Sequence, residues 1–246
     1  MALSREEMLF MVGLCEKTER FDDMLEFIKR VSSLEQDLSK DERDMLNLAC
    51  KEALNSRRRS WRALCNIEKL EEERENRYLS LIRDYRDRVE KEISKISEDV
   101  LILLDVKLIP MAISTNPEAH SSMVKLKADL HRYIAEVTVG EPHARNSERA
   151  LQGYNESLEV LKDYFPPSHP LRVSIELNKC VVMYEIMEKD EEAVTLANEV
   201  LKICKIEMSN LGDEDAAETA ILLQLFKDNI TLWTTDHALF NDKIKF

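Results

Sequence analysis

Residues 51–62 read Lys-Glu-Ala-Leu-Asn-Ser-Arg-Arg-Arg-Ser-Trp-Arg, and no Gly or Pro interrupts them. The run is predicted to be helical. At about 100° per residue, Lys51, Arg58 and Arg62 then share one stripe, while Cys50, Leu54, Trp61 and Cys65 form an apolar stripe beside it. Cations gathered on one face repel each other, and this chain carries a formal net charge of -13. Such a cluster points to an anionic ligand.

A second polar face follows from Lys125, Asp129, Arg132 and Tyr133, spaced i, i+4, i+7 and i+8. Asp129 can pair with Lys125 or Arg132 and hold a guanidinium in place. Beside a phenol, that planar fork of donors suits phosphate. The alternative is an i,i+4 salt-bridge ladder on a solvent face. Farther along, Asn178 and Glu185 lie on nearly the same helix face, with Leu177 and Val181 alongside. Ile221, Leu222 and Leu225 lead to Asn229 and then to Trp233. An Asn on an apolar face needs hydrogen-bond partners. Those partners are either an extended peptide's backbone or groups inside the core.

Catalytic signatures are missing: there is no HExxH, no Gly-rich phosphate loop and no GxSxG. The five His show no ligand spacing with Cys or carboxylates, so neither a metal nor a cofactor is expected.

The elements that must position these residues are helices. Only four Gly and six Pro occur in 246 residues, of which 34% are charged; this composition suits long helices with solvated faces. Ser4 with Glu7 makes a capping box for a first helix reaching Lys17. Met24, Phe27, Ile28 and Val31 mark a second, and residues 40–70 a third. A fourth, of roughly seven turns, follows from Tyr78, Ile82, Tyr85, Val89, Ile96, Val100 and Leu103. Pro110 is expected to end it. Asn116-Pro117 opens a fifth helix reaching about residue 139, and Asn146-Ser147 is expected to cap a sixth. Pro170 opens a seventh, an eighth occupies about 191–208, and a ninth runs from Gly212-Asp213 to about Trp233. Residues 234–246 are expected to form a tail. No strand-like alternation occurs, so the fold class is all-α: nine antiparallel helices with short loops.

Acidity argues against nucleic-acid or anionic-membrane surfaces, which need positive charge. The five cysteines are scattered singly, as in a reducing compartment. The charged N-terminus does not read as a signal peptide, and no apolar run approaches a membrane span. A cytoplasmic protein is expected.

Six stretches carry a resemblance: Glu-Arg-Phe-Asp-Asp-Met at 19–24, Asp-Glu-Arg-Asp-Met-Leu at 41–46, Arg-Arg-Arg-Ser-Trp-Arg at 57–62, Arg-Tyr-Ile-Ala-Glu-Val at 132–137, Ser-His-Pro-Leu-Arg at 168–172, and Asp-Asn-Ile-Thr-Leu-Trp-Thr-Thr-Asp at 228–236. In this order they resemble the 14-3-3 family of phosphoserine- and phosphothreonine-binding adaptors. The resemblance implies one domain over 1–236, whose first 107 residues include dimerisation helices, and a tail over 237–246. It implies that Arg58, Arg132 and Tyr133 hold phosphate, supported by Lys51, with Arg62 and Asp129 framing the pocket; Lys125, from its spacing, is expected to join Arg62 and Asp129 in peptide binding. Asn178 and Asn229 would bond the peptide backbone. Leu177, Val181, Ile221, Leu222 and Leu225 would form the apolar wall of an amphipathic groove, lined also by Glu185 and Trp233. It further implies homodimers, or heterodimers with a paralogue, in which Arg20 meets Glu92, Asp23 meets Arg88 and Tyr85 is buried. Ser60 follows three arginines and matches a serine that is phosphorylated in some members.

The chain departs from the family at Lys179, Cys180, Met183 and Leu130-His131, none of them a matched phosphate ligand. The expected function is capture of phosphorylated client proteins, with no catalysis, nucleic acid or membrane span. A helical scaffold for unphosphorylated peptides or helices is the alternative, and it predicts no dependence on phosphate.

Overall fold

The computed structural model describes residues 3–113 and 116–243, with side chains described to residue 235. Ten α-helical segments follow one another: α1 (Arg5–Lys17), α2 (Phe21–Ser32), α3 (Lys40–Glu73), α4 (Leu79–Leu103), α5 (Ile109–Ile113), α6 (Pro117–Val137), α7 (Glu141–Leu161), α8 (Pro170–Val181), α9 (Asp190–Glu207) and α10 (Asp213–Lys243). A π-helical turn, Leu104–Leu108, joins α4 to α5 as one rod. Counted that way, the described residues hold nine helices and no strand.

Local chemistry explains most boundaries. Ser4 and Ser39 each accept from the backbone N–H three residues on, where Glu7 and Glu42 bond back, completing two capping boxes. Pro117 and Pro170 sit in the first turns of α6 and α8, where a missing N–H breaks no bond. Glu19, after α1, has φ 55° and Glu75, after α3, has φ 52°. Arg20 N–H reaches back to Cys15 O at 2.9 Å and Asn76 N–H to Glu71 O at 3.0 Å. These are left-handed helix stops built with Glu where Gly is usual.

Four sequence expectations shift. Pro110 does not end its helix: the Ile109 N–H bonds Leu104 O, so the ladder widens just before the residue that has no N–H to give. Asn146 and Ser147 do not cap a helix, because α7 already starts at Glu141 with Pro142 tolerated in its first turn; both lie buried within it. The seventh helix widens into a second π turn, Val182–Ile186, which holds Glu185. Finally, α10 continues beyond Trp233 to Lys243.

The chain divides into two compact units. One comprises residues up to Ala119 together with Tyr133–His143; the other comprises His120–Arg132 and everything from Ala144 onward. The first unit buries Met24 and Ile28 of α2, Leu46 and Leu54 of α3, and Ile93 of α4, each below 2% exposure. The second has two cores. Ala128, Ala150, Tyr154, Leu161, Ile175 and Val182 form one. Val173, Leu177, Cys180, Cys204, Phe226 and Trp233 belong to the other. At Gly153 a Cβ would lie 2.9 Å from the Ala128 Cβ, so α7 approaches α6 too closely there for any side chain.

All five cysteines are free thiols. Burial pushes the Cys50 and Cys180 thiols up to about 12 and Cys204 up to about 11, which leaves them protonated and inert. Among the described residues no helix is long and apolar enough to cross a membrane.

Candidate functional site

In the first unit the cationic stripe is built as the periodicity of α3 requires. Lys51 is exposed and Arg58 half-buried. The Arg58 Nε donates to Glu136 Oε2 at 2.5 Å, and its Nη1 donates to Asn55 Oδ1 at 2.9 Å. Its guanidinium lies over the Tyr133 ring, 4.3 Å from the centroid, a cation–π stack. Arg62 donates from Nε to the other Glu136 oxygen at 2.9 Å. One carboxylate from α6 therefore fixes two arginines from α3. Burial alone would raise the Glu136 carboxyl, but its bonds to the arginines and their charge outweigh that and hold it below the usual range.

In the second unit Asp129 is the hub. It accepts from Lys125 Nζ at 2.9 Å, Tyr154 Oη at 2.5 Å and Asn178 Nδ2 at 2.8 Å, with Arg132 Nη2 at 3.8 Å. Arg132 Nε also donates to Tyr154 Oη at 3.3 Å. Side-chain exposures of 22% for Lys125, 12% for Asp129 and 11% for Arg132 mark a buried network, not a ladder on a solvent face. Burial works to raise the Asp129 carboxyl, yet Lys125 and Arg132 outweigh it, and the group stays below the usual carboxylate range. The Tyr154 phenol is pushed well above its ordinary value by burial and by the neighbouring Asp129 charge, so it remains a proton donor. Arg132 and Tyr133 are consecutive residues of α6. Each belongs to one of the two polar clusters.

The groove candidates of the second unit divide by exposure. Leu177 and Trp233 are buried, at 8% and 1% exposure, whereas Ile221 and Leu225 present 66% and 45% of their surface to solvent. Val181, Leu222, Asn178 and Asn229 are half-buried, and Glu185 is exposed. Tyr184 stacks on Trp233 with centroids 4.5 Å apart and donates its hydroxyl to Trp233 O at 3.1 Å, which sets the angle between the end of α8 and α10. Bare aliphatic side chains on α10 beside half-buried amides can receive an extended segment: apolar contact from one, backbone hydrogen bonds from the other.

Of the dimer candidates, Arg20 pairs with Asp23 within the chain, while Glu92 is shared by Arg57 at 3.1 Å and Arg88 at 3.5 Å. Tyr85 is exposed, and so are Phe10 and Leu14 of α1 and Leu81 of α4. Ser60 is exposed on α3, next to Trp61, whose Nε1 donates to Glu90 at 2.8 Å. Among the described residues no group of three His, Cys, Asp or Glu could hold a metal ion.

Sequence reasoning passed over Glu136, Tyr154 and Asn55. Asn55 is three residues before Arg58 on the same helix, a findable neighbour. Glu136 is 78 residues from Arg58 in sequence; it stands in the 132–137 stretch, but only the fold shows what it touches.

Comparison with known proteins places the chain. The family model described as 14-3-3 protein matches residues 11–234. A 14-3-3-like protein of Chlamydomonas reinhardtii is 39% identical over 239 residues, covering 96% of this chain and 92% of that protein. A 14-3-3-like protein of Pisum sativum is 37% identical over 94% of this chain and 90% of its own length. Protein BMH2 of Saccharomyces cerevisiae is 37% identical over 96% and 86%, respectively.

Proposed function

The chain belongs to the 14-3-3 family, and from that premise we propose that it is a non-catalytic cytoplasmic adaptor that captures phosphoserine or phosphothreonine segments of client proteins. Lys51, Arg58, Arg132 and Tyr133 hold the phosphate, which carries about -1.5 to -2 charge at neutral pH. The observation that supports this best is the state of the arginines: Arg58 is held by Glu136, Asn55 and the Tyr133 ring before any ligand arrives. Preset donors lose little freedom on binding. Lys125 and Asp129 keep Arg132 oriented in the same way, and Arg62 adds charge at the rim.

Asn178 and Asn229 bond the peptide backbone on either side of the phosphoresidue. Asn178 already donates to Asp129, so its second amide hydrogen and its carbonyl oxygen are what it offers a peptide. Leu177, Val181, Ile221, Leu222 and Leu225 cover the apolar side chains, flanked by Glu185 and Trp233. Two such chains pair through α1 and α4, exchanging the Arg20–Asp23 and Arg88–Glu92 pairs for Arg20–Glu92 and Asp23–Arg88 across a two-fold axis and covering Tyr85. A dimer then presents two grooves and gains avidity for doubly phosphorylated clients.

A crystal structure of the protein with a phosphoserine peptide tests this. Phosphate oxygens within hydrogen-bonding reach of Arg58, Arg132 and Tyr133 are expected. A peptide seated elsewhere, or one whose phosphate faces solvent, would contradict the assignment.

A further inference from the structure

Glu136 touches no ligand in the reading above, yet it is the carboxylate bonded to both Arg58 and Arg62 of the cationic stripe. We propose that Glu136 is a positioning residue for phosphate capture, a strap that ties Arg58 to Arg62 so that two flexible cations meet the ligand as one preset unit. The inference rests on the phosphopeptide reading.

The geometry divides the carboxylate cleanly. Oε2 takes Arg58 Nε at 2.5 Å, and Oε1 takes Arg62 Nε at 2.9 Å and Nη2 at 2.5 Å. Glu136 thus grips Arg58 by its Nε edge and not by the terminal Nη1–Nη2 edge, which is the edge a phosphate can fork. The Tyr133 ring covers one face of the same guanidinium, and Asn55 fixes Nη1. Glu136 and Arg58 are largely buried, at 14% and 12% side-chain exposure, whereas Arg62 reaches 54%. The strap is therefore anchored at its inner end and holds the outer arginine by charge. Without it, two like charges on long side chains would separate, and binding would have to order both again. The rival role is competition, in which Glu136 neutralises the arginines and must give way to phosphate. The two roles predict opposite signs.

The test measures the affinity of a fluorescent phosphoserine peptide for the wild type, Glu136→Ala, Glu136→Gln, Arg58→Ala and the double variant Glu136→Ala/Arg58→Ala. In parallel, NMR follows solvent exchange of the Arg58 Nε–H in the peptide-free protein. Glu136→Ala is expected to weaken binding roughly tenfold, with Glu136→Gln, which keeps shape and loses charge, intermediate. In the Arg58→Ala background the further loss should shrink to about twofold or less, since Glu136 then has no inner arginine to tie to Arg62. The Arg58 Nε–H should be slow to exchange in the wild type and fast in Glu136→Ala. Unchanged or tighter binding by the Glu136 variants would overturn the proposal in favour of competition. An equal loss in both Arg58 backgrounds would overturn it in favour of a general packing role. A wild type with a protected Arg58 Nε–H that ignores the phosphopeptide would instead refute the phosphopeptide reading, and the positioning role with it.

Discussion

Asp129 holds four polar neighbours at once, so its loss should be felt first in stability. Asp129→Ala takes a carboxylate partner away from the largely buried Lys125 and Arg132, and a loss of about 3 kcal/mol is expected in urea unfolding. The same carboxylate sets a pH dependence. Its folded pKa lies below the usual range, as does that of Glu136. Their contribution is therefore complete above the unfolded value of about 4 and is lost as pH falls through the depressed folded values. Unfolding free energy should stay level from neutral pH down to about pH 5 and drop below it, less steeply in Asp129→Asn. A slope that is the same in both proteins would remove Asp129 from the account. How far the clusters could be read from sequence differs residue by residue. Lys51, Arg58 and Arg62 announce themselves by helical period, and Lys125, Asp129 and Arg132 by i,i+4 spacing. Tyr154 and Glu136 could not be read this way: each completes a cluster from a distant stretch, and no local pattern distinguishes them from other helix residues.

At the scale of elements, helix ends test whether the local physics is right. Glu19 and Glu75 occupy left-handed positions at φ 55° and 52°, where a side chain is strained. Glu19→Gly and Glu75→Gly should each stabilise by about 0.5–1 kcal/mol, because the relief of strain exceeds the added freedom of the unfolded chain. The opposite sign is expected at Gly153. A Cβ there meets Ala128 Cβ at 2.9 Å, and neither atom is the free end of a flexible chain. Gly153→Ala should destabilise by about 1–3 kcal/mol despite its better helix propensity, which thermal or urea unfolding will show. Caps were legible because Ser-x-x-Glu and X-Pro act within one turn. The π turns at Leu104–Leu108 and Val182–Ile186 were not, since a widened ladder reflects how the helix packs along its length. Pro110 misled for that reason: its missing N–H is absorbed by the wider turn before it. Asn146 misled in another way: it looks like a cap but lies buried, with Oδ1 2.8 Å from His131 Nδ1.

For the whole molecule, charge and assembly matter most. A net charge of -13 would repel a phosphorylated ligand at long range, so the proposed capture requires local cations rather than overall attraction. Exposed Phe10, Leu14, Leu81 and Tyr85 are what a paired chain would cover. Sedimentation at micromolar concentration should show a dimer, and Tyr85→Glu should shift it toward monomer without unfolding it; a monomeric wild type would remove the two-groove argument. Ser60→Asp, which adds charge beside Trp61 in the chain, should loosen the same dimer, and an unchanged mass would sink that regulatory reading. At this scale the nine-helix expectation was legible from periodicity and helix stops, and the family from six motifs that span the chain in order. Which surfaces meet in a dimer follows from the resemblance and not from any periodicity.

The measurement that bears most directly on the account is a fluorescence-anisotropy titration of one Arg-Ser-x-phosphoSer-x-Pro peptide and its unphosphorylated twin, against the wild type and Arg58→Glu. The account predicts that only the phosphopeptide binds the wild type, and that charge reversal weakens it by a hundredfold or more, on the order of 3 kcal/mol. Equal affinity for the two peptides, or a phosphopeptide that binds Arg58→Glu as well as the wild type, would contradict it and bring forward a helical scaffold that reads unmodified peptides.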